Sequence, residues 1–172
     1  SAGRDIFSQL VYGARPALQI GLLSAVSVAF IGMNVGLVAG YYGGYVDDVL
    51  MRMVDFAYGI PFTPFIIVLV ALWKPSKWTI VGAIAILLWR QTARVVRTQV
   101  LNLKEKPFIK SARTVGASDR RIIYKHIAPN VLPLVFLYGS FAIAWAILTE
   151  AAISYLGFGD PTAVTWGQML QS

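Results

Sequence analysis

The chain contains no cysteine and a single histidine, His126. Without sulfur there is neither a disulfide framework nor a thiolate metal site, and nothing marks the redox compartment. One imidazole cannot by itself assemble a zinc site or a hydrolase triad, so metal-dependent and acid–base enzyme chemistry have little to work with. No catalytic residue, metal or cofactor is expected. A glycine-rich phosphate cradle of the G-x-x-x-x-G-K form is missing too, which places any nucleotide-hydrolysing engine on another chain. Charge is equally scarce: 13% of the 172 residues are charged and 57% are hydrophobic, with a mean hydropathy of +0.64. That is too little polar surface for a water-soluble domain. No basic, apolar and small-residue leader opens the sequence, which reads as an excerpt of a longer chain.

What the sequence has in quantity is long apolar runs. Ala17 to Gly40 is 24 residues without a charge; as a helix it would extend about 36 Å and cross a hydrocarbon core of about 30 Å with some tilt. Phe56 to Trp73 is also uncharged but carries Pro61 and Pro64, which predict a kink or break near its start. The run from Trp78 to Trp89 is interrupted by Arg90 and reaches membrane length only if the helix continues through Arg94 and Arg97, with those arginines at or beyond the interface. Val131 to Phe158 contains Glu150 as its one ionisable residue. The pattern predicts an all-α membrane protein, a polytopic helical bundle forming one transmembrane domain over 1–172. Its spans are about 17–40, 56–73, 78–96 and 131–158, with a polar loop at about 97–130.

Of the 15 Lys and Arg residues, ten lie between Arg90 and Lys125, opposed there only by Glu105 and Asp119. Four crossings put segments 41–55 and 90–130 on one side with eleven basic residues, and leave Arg4, Arg15, Lys74 and Lys77 on the other. The excess of positive charge predicts a cytoplasmic 90–130 loop and a multi-pass protein of the cell (inner, cytoplasmic) membrane, with membrane lipid as a partner and no nucleic acid. Tyr41, Tyr42, Trp73, Trp78 and Trp89 read as interfacial anchors. Gly32, Gly36, Gly40 and Gly44 recur every four residues, predicting one helical face that a neighbouring backbone can approach closely.

The basic loop is the informative part. From Lys106 to Pro129 it reads KPFIKSARTVGASDRRIIYKHIAP, too charged for lipid and patterned enough to fold. Pro107 suits a first helical turn; Phe108, Ile109, Ala112 and Val115 form an apolar stripe; Gly116 is a natural stop. Ser118 with Asp119 can cap a second helix, whose Ile122, Ile123 and Ile127 make an apolar face before Pro129 turns the chain toward the last span. Helices this short are marginal alone in water, so the pair should need a partner. A protein groove, an anionic membrane surface and a plain solvated linker all fit this chemistry.

The spacing resembles the EAA loop of ABC-importer permeases, in which E-A-A is followed after three residues by Gly and later by a short apolar stretch ending in Pro. Here Lys110-Ser111-Ala112 stands at E-A-A, Gly116 follows after three residues, and His126-Ile127-Ala128-Pro129 closes the motif. Gly116-Ala117-Ser118-Asp119 with Arg121-Ile122-Ile123 is similar to the dipeptide, oligopeptide and nickel subgroup in particular. So are Gly40-Tyr41-Tyr42-Gly43-Gly44, Met51-Arg52, Glu150-Ala151-Ala152 and Trp166-Gly167. The departure is Lys110, a charge reversal that bears on any ion pair the motif's acidic residue would make and on which of two permease types this is.

The resemblance implies a transmembrane permease subunit of an ATP-driven importer, forming the pathway for peptides or a related small solute. Its implied partners are a second, homologous permease subunit, two ATP-binding subunits and an extracytoplasmic solute-binding protein. The coupling-helix loop would carry ATPase contact through Phe108, Ile109, Lys110, Ser111, Ala112, Val115, Gly116, Ala117, Ser118, Asp119 and Pro129, and the family would add one span before Ser1 and one after Ser172. Glu150, costly in a membrane, reads either as lining the pathway or a subunit interface, or as a carboxylate near a helix end that reaches interfacial water. His126 reads as a surface or helix-end residue. Rival classes are an ion-gradient-driven secondary transporter or channel, to which the proline-broken span points, and a membrane-embedded hydrolase, for which paired carboxylates are missing.

Overall fold

The computed structural model describes residues 5–73, 76–160 and 163–171. Arg4 and Lys74, both counted in the charge comparison, lie outside the described residues, as does Pro75 of the turn between the second and third spans. Among the described residues there is no strand. In chain order the helices are α1 (Ile6–Tyr42), α2 (Gly44–Gly59), α3 (Phe62–Leu72), α4 (Lys77–Leu103), α5 (Pro107–Thr114), α6 (Asp119–Arg121), a wide π-helical turn (Ile122–Ile127), α7 (Ala128–Tyr155) and α8 (Trp166–Gln171). Among the described residues three stretches are long and apolar enough to cross a membrane, Ile6–Tyr42, Lys77–Leu103 and Asp119–Tyr155, and α2 and α3 pass the same test only when taken together. The all-α membrane architecture is as the sequence predicts.

The helices overrun the uncharged segments that signal them. α1 starts at Ile6, where the Asp5 carboxylate accepts hydrogen bonds from the Phe7 N–H at 3.1 Å and the Ser8 hydroxyl at 2.5 Å. The first of these satisfies an orphan backbone donor of the first turn. A single helix over 56–73 does not form. The chain breaks at Ile60–Pro61, both extended, because a proline disfavours helical geometry in the residue before it. Residues 44–59 are helical and not a loop; Asp47 and Asp55 find the partners described below.

The last helix departs furthest from expectation. α6, the π turn and α7 run as one helix from Asp119 to Tyr155, so Pro129 does not redirect the chain. Proline lacks an N–H and its ring crowds the carbonyl four residues back. The wide turn just before it absorbs that conflict: the Ala128 N–H donates to the Ile123 carbonyl, one residue further back than in an α-helix. The Asn130 amide then donates to the His126 carbonyl at 2.7 Å.

Two compact units divide the described chain. One comprises residues up to 27, 61–87 and from 140 on; the other comprises 28–60 and 88–139. In the first, Gly21 lies against Ile143 and Ile147, and the Trp166 indole donates to the Leu10 carbonyl at 3.0 Å. In the second, a core cluster joins Leu37 and Tyr41 of α1, Val96 and Val100 of α4, Ile109 and Ala112 of α5, and Ile122, Ile123 and Ile127 of the π turn.

The second unit is organised by the glycine stripe. A Cβ on Gly32 would stand 2.7 Å from the Trp89 carbonyl oxygen, one on Gly36 2.6 Å from that of Ala93, and one on Gly40 2.9 Å from that of Arg97. Each step of four on α1 meets a step of four on α4 in the same direction, so the two helices run parallel with their backbones nearly touching. Gly44 is not part of this face. It has nothing within 4 Å and φ +50°, next to Gly43 at φ +67°. The reversal from α1 into α2 needs left-handed residues there, which glycine supplies without a steric penalty.

Candidate functional site

The segment from Pro107 to Ile127 is built from its glycine outward. Pro107 occupies the first turn of α5, where its missing N–H leaves no hydrogen bond unmade. At the other end Gly116 takes φ +80°, its N–H donates to the Arg113 carbonyl at 2.9 Å, and the Ala117 N–H donates to the Ala112 carbonyl at 3.1 Å. This is the Schellman closure, which satisfies the last carbonyls of a helix through one left-handed residue. Ser118 follows as an extended N-cap but makes no side-chain capping bond; α6 starts without it.

The predicted stripe of Phe108, Ile109, Ala112 and Val115 is split. Ile109 and Ala112 are buried in the core of their own unit, whereas Phe108 is 43% and Val115 83% exposed. α5 therefore does not wait for a partner to hold it: Ile109 and Ala112, three residues apart, seat it on α1, α4 and the π turn. The three isoleucines 122, 123 and 127 are also used internally. What faces outward is the adjoining edge, Phe108, Ser111 and Val115, beside a shallow recess reaching Gly116, Arg121 and His126. Lys110, the charge reversal in the motif, is exposed and lies 3.3 Å from Glu105, so this chain supplies it with its own acidic neighbour.

Asp119 is exposed but tied to α1. Its carboxylate accepts a hydrogen bond from the Tyr41 hydroxyl at 2.6 Å, and the Arg113 guanidinium sits 5.3 Å from the Tyr41 ring centroid. The Tyr124 hydroxyl donates to the Asn34 side-chain oxygen at 2.8 Å. Tyr41 is thus a buried residue of the loop's own support, not an interfacial anchor; its neighbour Tyr42 is 53% exposed. The one sequence signal for these ties is Asn34, the only asparagine in the uncharged run 17–40.

A second cluster in the same unit was hidden from sequence. α4 carries Arg90, Arg94 and Arg97, and α2 answers each. Arg97 holds both carboxylate oxygens of Asp47 at 2.5 Å, Arg94 meets Asp55 at 2.6 Å, and Arg90 donates to the Ala57 carbonyl. The guanidinium groups of Arg90 and Arg94 both lie 4.5 Å from the Tyr58 ring centroid. The exposed Arg94–Asp55 pair contributes little, about 0–1 kcal/mol. The Arg97–Asp47 fork is mostly shielded, with side chains 29% and 12% exposed, and two charge-assisted bonds there are worth roughly 2 kcal/mol. Asp47→Ala is expected to lower the thermal stability of the detergent-solubilised protein by that amount, and a matching loss in Arg97→Ala that is not doubled in the double variant would show the pair acting as a unit. Additive losses would show the fork to be energetically idle.

In the other unit Glu150 is 1% exposed. The Ser154 hydroxyl donates to its Oε1 at 2.7 Å, Thr165 lies beside it, and Oε2 has no hydrogen-bond partner among the described residues. Glu150 therefore does not sit on an exposed face of this chain: its carboxyl is covered, with Ser154 and Thr165 beside it. No cluster of metal-ligating side chains occurs among the described residues.

Comparison with known proteins decides the family. The family described as binding-protein-dependent transport system inner membrane component matches residues 32–171. The chain belongs to that family. The chain is 37% identical over 168 residues to the oligopeptide transport system permease protein OppC of Bacillus subtilis strain 168, covering 97% of this chain and 55% of that relative. It is 36% identical to the dipeptide permease protein DppC of the same organism, over 97% of this chain and 52% of the relative. It is 38% identical to the glutathione transport system permease protein GsiD of Pectobacterium atrosepticum, over 99% of this chain and 57% of the relative. The chain therefore spans about half the length of these curated relatives. The resemblance read from the spacing around Gly116 is borne out at the level of family, and the matched region includes the glycine stripe, the arginine ladder and the whole 107–129 segment.

Proposed function

We propose that this chain is the greater part of a transmembrane permease subunit of an ATP-driven peptide importer, in which the outward edge of α5 and its following elbow receive a separate ATPase subunit. The observation that carries this reading is the split stripe: α5 is anchored from within by Ile109 and Ala112 and offers Phe108, Ser111 and Val115 outward. A lever must be rigid where it is attached and accessible where it is pushed, and this arrangement is both. The basic surroundings of α5 support a cytoplasmic position for it, in an inner-membrane, multi-pass protein. The printed names of the relatives, covering oligopeptides, dipeptides and glutathione, support a peptide or a similar small solute as cargo. On this reading the assembly contains a second, homologous permease, two ATP-binding subunits that hydrolyse the nucleotide, and an extracytoplasmic solute-binding protein that delivers the cargo.

The absence of native cysteine makes the test clean. A single cysteine at Val115 is expected to crosslink to the ATPase subunit of the full-length complex at least about tenfold more efficiently than one at Ala112, because thiol reaction requires an accessible side chain. Equal crosslinking at both positions would contradict the seating of α5, and crosslinking of Val115→Cys to the binding protein would invert the orientation.

A further inference from the structure

We propose that Tyr41 and Asp119 form a positioning pair that carries movement of the 107–127 loop into α1, with Tyr124 and Asn34 as a second tie along the same route. The inference rests on the reading of this loop as the element the ATPase pushes.

The loop is covalently continuous with α4 and α7 but not with α1. Nevertheless, among the described residues, two long-range side-chain hydrogen bonds tie it to α1: Asp119 receives Tyr41 at 2.6 Å, across 78 positions, and Tyr124 reaches Asn34 at 2.8 Å, across 90. Asn34 and Tyr41 are seven residues apart, about two turns, so they share one face of α1. Positions 119 and 124 would stand roughly 140° apart on an unbroken α-helix. The π turn at Ile122–Ile127 reduces that offset, because more residues fill each turn, and so turns Tyr124 toward the helix that Asp119 already contacts.

Tyr41 also straddles the elbow. Arg113, before Gly116, stacks over its ring, and Asp119, after Gly116, accepts a hydrogen bond from its hydroxyl. A shift of either arm of the loop is therefore felt by one side chain, which is 6% exposed and packed too tightly to yield independently. α4, already joined to the loop by chain, is held against α1 by the stripe at Gly32, Gly36 and Gly40, so the pair adds a direct connection to α1 from the arm of the loop beyond Gly116. The pair would make α1 and α4 move as one body with the loop. Without it, α1 would follow only through its apolar packing on α4 and the loop.

The test is hydrogen–deuterium exchange on the full-length permease in complex with its ATPase, comparing the nucleotide-free state with the ATP–vanadate-trapped state. In the unmodified complex, trapping should change exchange in residues 107–127 and in α1 residues 28–42. Tyr41→Phe keeps the ring and its contact with Arg113 and removes only the hydroxyl. It is expected to retain bound ATPase and the response of the loop, while the response of α1 falls about tenfold, the scale of one hydrogen bond to a charged group. Asp119→Asn, which keeps an acceptor oxygen, should preserve most of the α1 response, whereas Asp119→Ala in the Tyr41→Phe background should remove little more. An undiminished α1 response in Tyr41→Phe, or a loop response without an α1 response in the unmodified complex, overturns the pair. No nucleotide-dependent response in the loop at all refutes the coupling reading beneath it. Should Tyr41→Phe fail to insert, Tyr124→Phe makes the same comparison on the second tie, and an unchanged α1 response there counts equally against the proposal.

Discussion

Gly36→Leu is expected to abolish recovery of folded protein. A Cβ at this position would already stand 2.6 Å from the Ala93 carbonyl oxygen and 2.7 Å from the Val96 Cβ, and neither is the free end of a flexible chain. α1 and α4 would have to separate, which would open the core at Leu37, Val96 and Val100. Overpacking alone costs about 1–3 kcal/mol, occasionally more. In a membrane there is little hydrophobic force to re-form the pair, because lipid solvates the parted faces as well as protein does. The smaller Gly36→Ala is expected to fall within that range, read as an earlier thermal loss of monodisperse protein in detergent. Gly139→Ala is the control: nothing lies within 4 Å of a Cβ there and no positive φ is required, so it should be neutral or slightly stabilising. Equal recovery of Gly36→Leu and Gly139→Ala would refute the close parallel packing.

Gly116→Val is expected to lose peptide uptake in proteoliposomes by at least about tenfold while leaving membrane insertion and the amount of protein intact. The cause is conformational and not steric, for nothing lies within 4 Å of a Cβ built on Gly116. At φ +80° a side chain costs about 1–2 kcal/mol, and a β-branched one more. Relief of that strain requires unwinding the closure made by the Gly116 and Ala117 N–H groups. Once it opens, Ile109 and Ala112 lose their fixed seat and Arg113 leaves Tyr41. The spans, which hold their own hydrogen bonds, would persist. Gly116→Asn should retain most activity, because asparagine tolerates the left-handed region, and this contrast separates a backbone effect from loss of a docking surface. Equal uptake in the valine and asparagine variants, at any level, would remove the backbone geometry of the elbow from the mechanism. A charged replacement such as Gly116→Asp is less informative, since it alters the electrostatics of the surface as well.

Composition and pattern by themselves determined that this protein is helical, that it crosses the membrane, and that the basic segment around Gly116 is a folded device of a recognisable family. Those properties depend on period, span length and local backbone demands, all of which are written along the chain: uncharged runs are long or they are not, and a left-handed elbow calls for glycine wherever it occurs. Packing decided the rest. No reading of residues 107–115 alone could divide the apolar stripe into an inward pair and an outward edge, because which side of a short helix is covered depends on α1 and α4, which lie far away in sequence. The same holds for Asp119, which has every local reason to be a cap and instead meets Tyr41, and for Gly44, which keeps the period of the stripe while serving the turn beyond it. Asp47 and Asp55 made the start of α2 read as a polar connection, since a charge reads as a preference for water until its counter-charge is in place; the arginines that supply it, Arg97 and Arg94, stand on α4.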